Sequence, residues 1–151
     1  MWLKDFCSRV HPLRAISPVS VADNTAAASQ IIDTADYEGL VFVLATGSVA
    51  DADMTTTVLV EHGDDSGLSD AAAVPDDMLN SGRTSGHATT PEASAAFQFD
   101  DDNETRKIGY HGDKRYVRLT VTPSGNASAA LISAVALLFG ARRQPTAVPP
   151  V

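Results

Sequence analysis

Four histidines, one cysteine and several acidic clusters are the residues of this chain with the chemistry to ligate a metal or catalyse a reaction. His11, His62, His87 and His111 lie far apart, no two at zinc-ligand spacing, and the single Cys7 cannot complete a thiolate site. Asp100-Asp101-Asp102-Asn103-Glu104 gathers the oxygen ligands that a hard cation takes. It lacks the spaced Asp-x-Asp-x-Asp-Gly frame of an EF-hand loop, and adjacent turn residues point in different directions, so it reads as a solvated turn. Asp51 with Asp53, Asp64 with Asp65, and Asp76 with Asp77 read the same way. Triads assemble from distant positions, yet no Gly-x-Ser-x-Gly elbow marks a nucleophile. No phosphate loop is spelled, and no Gly-x-Gly-x-x-Gly follows a strand. The sequence reads as a non-enzyme with no cofactor and no metal.

Positive charge is more concentrated. Arg106, Lys107, Lys114, Arg115 and Arg118 are five of the eleven Lys and Arg residues, and Tyr110 and Tyr116 stand among them. On paired strands, alternate members would line a positive stripe. Three readings are open: a platform that stacks and neutralises nucleic acid, a subunit interface anchored by Arg and Tyr, or a solvated strand face. The formal net charge of -8 weighs against nucleic acid and favours a protein partner over it. Arg115 and Tyr116 are expected to serve assembly rather than chemistry. Trp2 and Phe6 near the N-terminus, and Arg142 and Arg143 near the C-terminus, complete the candidate interface residues.

The elements that position these residues read mainly as strands. At 151 residues the chain fits one domain with a core of its own. Aromatic residues are only 6%, so its layers are packed from small side chains. Residues 1–18 form an arm, with Trp2, Leu3, Phe6 and Val10 interleaved with Lys4, Arg9 and Arg14 and broken by Pro12 and Pro18. It folds back on its own core or reaches a neighbour. Strands are expected from Val19, over 29–33, and over Leu40-Val41-Phe42-Val43-Leu44-Ala45, a continuous apolar run that reads as fully buried. Thr55 to Glu61 is β-branched, and 95–99 alternates.

Residues 105–110 and 115–122 read as a hairpin whose turn is His111-Gly112-Asp113. In its return strand Tyr116, Arg118 and Thr120 alternate with Val117, Leu119 and Val121, the period of a strand with one buried face. Residues 129–139 suit a helix by composition; the strand is favoured, with Leu131, Ser133, Val135 and Leu137 on one face. The resulting fold class is all-β: a single antiparallel β-sandwich, jelly-roll-like, over residues 19–140. A long polar loop occupies 64–91, and a proline-rich extended tail occupies 141–151. No secretory signal is legible at the N-terminus, and the longest apolar run, near Ala134 to Phe139, is too short to span a bilayer.

Two stretches carry a resemblance. They are Asp33-Thr34-Ala35-Asp36-Tyr37-Glu38-Gly39-Leu40-Val41-Phe42 and Gly109-Tyr110-His111-Gly112-Asp113-Lys114-Arg115-Tyr116-Val117-Arg118. Between them lies Glu61-His62-Gly63-Asp64-Asp65, and after them Gly140-Ala141-Arg142-Arg143-Gln144-Pro145. In this order, over roughly 17–145, the chain resembles small proteins encoded in the head modules of tailed bacteriophages and prophages. The resemblance implies a virion protein and carries over no catalytic residue. It implies a capsid decoration, or cement, protein made in the bacterial cytoplasm and placed on the capsid exterior. Its partners would be the major capsid protein and itself, as a homotrimer, with no membrane and no direct nucleic-acid contact. A head–tail connector or tail-associated ring subunit is the alternative, and a carbohydrate- or receptor-binding module a second one.

Overall fold

The computed structural model describes residues 2–81 and 90–146, the side chains of residues 2 and 3 excepted. His87, the centre of the long loop and the last five residues of the tail lie outside the described residues. In chain order the strands are β1 (Val10–Val21), β2 (Ala27–Ala28), β3 (Ile32–Asp33), β4 (Gly39–Val49), β5 (Thr55–Gly63), β6 (Ala72–Ala73) and β7 (Leu79–Asn80). A short helix α1 (Pro91–Ala95) follows, then β8 (Thr105–Tyr110), β9 (Tyr116–Ser124) and β10 (Ala130–Phe139).

These strands form two antiparallel sheets packed as a sandwich. One sheet has the order β1-β10-β4-β8-β7. The other has the order β2-β9-β5-β6, with β3 also on β9. Between them Leu40, Phe42 and Leu44 of β4, Ile108 of β8 and Val117, Leu119 and Val121 of β9 are wholly excluded from solvent. Burial of each such side chain stabilises the fold by about 1.5–3 kcal/mol. The alternation expected for β9 is present along its whole length.

Four expectations change. Residues 105–122 are not a hairpin: β8 pairs with β4 and β7 in one sheet, whereas β9 pairs with β5, β2 and β3 in the other. The connection 111–115 is therefore an arch across the sandwich. Both strands have one apolar face, and each strand's hydrogen-bonding edges are taken by residues distant in sequence. Residues 10–18, read as arm, are most of β1. Pro12 and Pro18 are tolerated there because β1 is an edge strand, with register shifts between Arg14 and Ile16 and between Ile16 and Val19.

Residues 95–99 are not a strand. Thr90 Oγ1 accepts from the Ala93 N–H at 3.1 Å and caps α1, whose first residue is Pro91. Finally, β4 is not buried on both faces within this chain. Leu40, Phe42 and Leu44 face the core, and Val41, Val43 and Ala45 face outward and are partly exposed. For 130–139 the strand is found, not the helix.

Candidate assembly interface

The two outer faces of the sandwich differ in chemistry. On the β9–β5 sheet the outward residues are Thr55, Thr57, Leu59 and Glu61, beside Tyr116, Arg118, Thr120 and Thr122. This is the polar, solvated face usual for an antiparallel sheet. On the β10–β4 sheet the register lines up apolar rows. Val10, Phe139 and Gly39 form one row, Pro12, Leu137, Val41 and Gly109 the next, and Arg14, Val135, Val43 and Lys107 the third. Beyond them Ser133 stands beside Ala45 and Thr105. Leu131, Val135 and Phe139 are each 40–45% exposed although large and apolar.

Glycines flatten this face. A Cβ on Gly39 would collide with the Phe139 ring, and one on Gly47 would sit 3.0 Å from Leu131. The large β10 side chains thus lie across bare backbone of β4, as aromatic residues do over glycines in paired strands. Of the nineteen Asp and Glu residues in the chain, none occupies these outward positions of β1, β10, β4 and β8. The charged members are Arg14 and Lys107, at opposite flanks. An apolar, acid-free face on an acidic chain is the kind of surface on which proteins associate.

The basic residues singled out in the sequence are dispersed rather than assembled into a stripe. Lys107 is on the outward β10–β4 face. Arg106 lies 5.1 Å over the Phe97 ring and pairs with Asp101 at 2.9 Å and with Glu104. Lys114 pairs with Asp64. Arg115 grips both Asp33 carboxylate oxygens at 2.8 Å, joins β9 to β3, and lies over the Tyr116 ring at 5.0 Å. Arg118 pairs with Glu61 on β5 at 2.7 Å. Tyr110 is buried, with His62 Nδ1 2.9 Å from its hydroxyl.

Near the termini, Phe6 is exposed, and the Trp2 side chain lies outside the described residues. Arg142 and Arg143 line an open cleft with Asp36 and Tyr37, and Arg142 Nη1 is 3.8 Å from Asp36. The acidic turn at 100–104 is bonded inward: Val49 N–H donates to Asp102 at 2.6 Å, and Thr46 Oγ1 donates to the Asp101 carbonyl at 2.7 Å. Among the described residues no three His, Cys, Asp or Glu side chains converge as a metal site.

The apolar residues of this face, Leu131, Val135, Leu137 and Phe139 with Val41 and Val43 beside them, are not among the interface candidates drawn from the sequence. Their signal was present. Residues 130–139 and 40–45 are apolar at odd and even positions alike, more than a strand with one buried face requires.

Fold and surface together define a two-sheet β-sandwich that carries one apolar outer face. No family model matches this chain, and no curated protein sequence matches it. Among solved structures, the chain is similar to the PBSX exported protein XepA at 14% identity and a TM-score of 0.49, over 91% of this chain and 39% of that one. It is similar to the CBM22-1–GH10 modules of Clostridium thermocellum xylanase 10B at 11% identity and a TM-score of 0.49, over 93% of this chain and 28% of that one. It is also similar to the SPBc2 prophage-derived protein YomS at 7% identity and a TM-score of 0.45, over 83% of this chain and 94% of that one.

Proposed function

We propose that this chain is a structural protein of a tailed-phage virion, a decoration protein that binds the outer capsid surface as an oligomer and holds the shell together. The observation that carries the reading is the apolar outer face of β10 and β4, which supports association into an oligomer because a protein surface must cover it to remove it from water. The resemblance to head-module proteins over roughly 17–145 supplies the setting. In this role the sandwich is a rigid spacer and performs no reaction. Its N-terminal helical turns (Trp2–Asp5 and Cys7–Arg9), the segment 64–81 that carries β6 and β7, and residues 141–146 contact neighbouring capsid subunits. Binding to assembled lattice in preference to free subunits stabilises the shell by mass action, and linked copies raise the effective concentration of each contact.

The test is to mix the purified protein with expanded capsids that lack it and count bound copies. Decoration gives a number on the order of hundreds per particle, set by shell symmetry, with added heat resistance. About a dozen copies confined to one vertex would make it a connector subunit instead. No binding at all removes the capsid surface as its place.

A further inference from the structure

We infer that the outer face of β1, β10, β4 and β8 is covered by the same face of a second copy, around a two-fold axis. The inference rests on the surface and does not depend on the virion reading. Three observations select this occupant.

The first is area. From Leu131 to Phe139 the face is about 27 Å long, and four strands make it about 19 Å wide. Two copies would bury on the order of 1,000 Å² before side-chain relief is counted, the size at which specific interfaces begin. The second is the distribution of apolar surface. Away from this sheet, the exposed large hydrophobics among the described residues are Phe6, Leu59 and Phe99, and no two share a strand. A head-to-tail contact needs a second, complementary apolar patch, and an isologous contact needs only this one. The third is charge. Pairing the faces buries no carboxylate, and the long stems of Arg14 and Lys107 reach from opposite flanks to solvent at the rim.

Charge also fixes the sign of the salt dependence. Each copy carries a formal net charge of -8, and the charged residues on the face itself are the cations Arg14 and Lys107. Like charges approach on pairing, so added salt strengthens the dimer. A cationic-flanked face docked on an acidic partner would weaken with salt.

The experiment is light scattering on the full chain across concentration and salt. At about 100 μM the expected mass is twice 15.8 kDa, with a dissociation constant on the order of 1–10 μM that falls as salt is added. Val135→Glu weakens pairing at least ~10-fold, since each dimer would bury two carboxylates whose cross-strand neighbour Arg14 must leave the rim to pair with them. Leu59→Glu, on the polar sheet, leaves the dimer intact. Circular dichroism and thermal unfolding check that both variants fold. Should Val135→Glu unfold, the combination of Val135→Ser and Leu137→Ser is expected to weaken pairing by about tenfold or more.

A monomer at ~100 μM, a mass of three copies, or a dimer indifferent to changes at Val135 and Leu137 overturns the inference. So does a monomer whose binding to another protein is lost in Val135→Glu. A dimer that ignores empty shells leaves the pairing standing and removes the capsid reading alone.

Discussion

Thr56 shows how much one buried hydroxyl does in this fold. Its Oγ1 accepts from the Phe97 N–H at 2.7 Å and donates to the Phe97 carbonyl at 2.9 Å, and its own N–H reaches the same carbonyl at 2.8 Å. Both residues are buried, and together they attach the segment after α1 to β5. Thr56→Val keeps the shape and strands the Phe97 N–H away from water. The expected cost is about 1–3 kcal/mol, read as a lower denaturant midpoint at unchanged slope. A midpoint equal to that of the parent would mean that the bond contributes nothing. The sequence offered no warning of this role, because threonine is abundant here and its partner lies forty-one positions away. By contrast the inward positions of β9 were legible, since Val117, Leu119 and Val121 obey a period that needs no knowledge of the partner strand.

At the scale of elements, the arch from β8 to β9 decides the architecture. Tyr110 closes it: the phenol oxygen accepts from the Lys114 N–H and donates to the Lys114 carbonyl, both at 3.0 Å. Burial pushes the Tyr110 hydroxyl up to about 12, so it stays neutral and keeps its proton for that bond. Tyr110→Phe is expected to cost about 1–2 kcal/mol and to speed hydrogen exchange at the Lys114 amide. Unchanged exchange there would show that the arch is held by packing alone. The same residues read as a hairpin in the sequence because local turn chemistry serves a hairpin and an arch equally well. What separates them is which edges are already occupied, and β4, β7, β5, β2 and β3 all lie elsewhere in the chain.

For the molecule as a whole, the surface carboxylates set the response to acid. Asp33 is held below its usual 3.8 chiefly by its hydrogen bond to Arg115. Asp51 is lowered by the Asp53 and Ala127 N–H groups, Asp65 by those of Ser69 and Gly67, and Asp70 by those of Asp64 and Asp65. Each binds its proton less readily when folded than when unfolded. The stability they contribute is therefore complete above the unfolded value and is lost as pH falls through 3.8 and below. Glu92 opposes them: burial raises it, so its contribution favours the folded state at lower pH. Five lowered groups, with Asp23 held down by its hydrogen bond to Thr25 among them, against one raised group give a melting temperature that drops as pH is taken below about 4. Asp33→Asn should shallow that drop, and a melting temperature flat from pH 5 to pH 3 would remove the argument.

The all-β class, the strand of 130–139 and the inward rows of β9 followed from the amino-acid sequence by itself. Two-residue periodicity, β-branched content and turn residues act within a few positions of one another. Sheet membership, the partners of Arg106, Lys114, Arg115 and Arg118, and the outward position of Val41, Val43, Val135 and Phe139 were decided only by the tertiary structure. These depend on which distant strands share an edge and which of two apolar faces closes against the other sheet. A run that is apolar on both faces, such as Leu40 to Ala45, states that both must be covered. The core covers one of them, and the other lies partly exposed on the outside of the sheet.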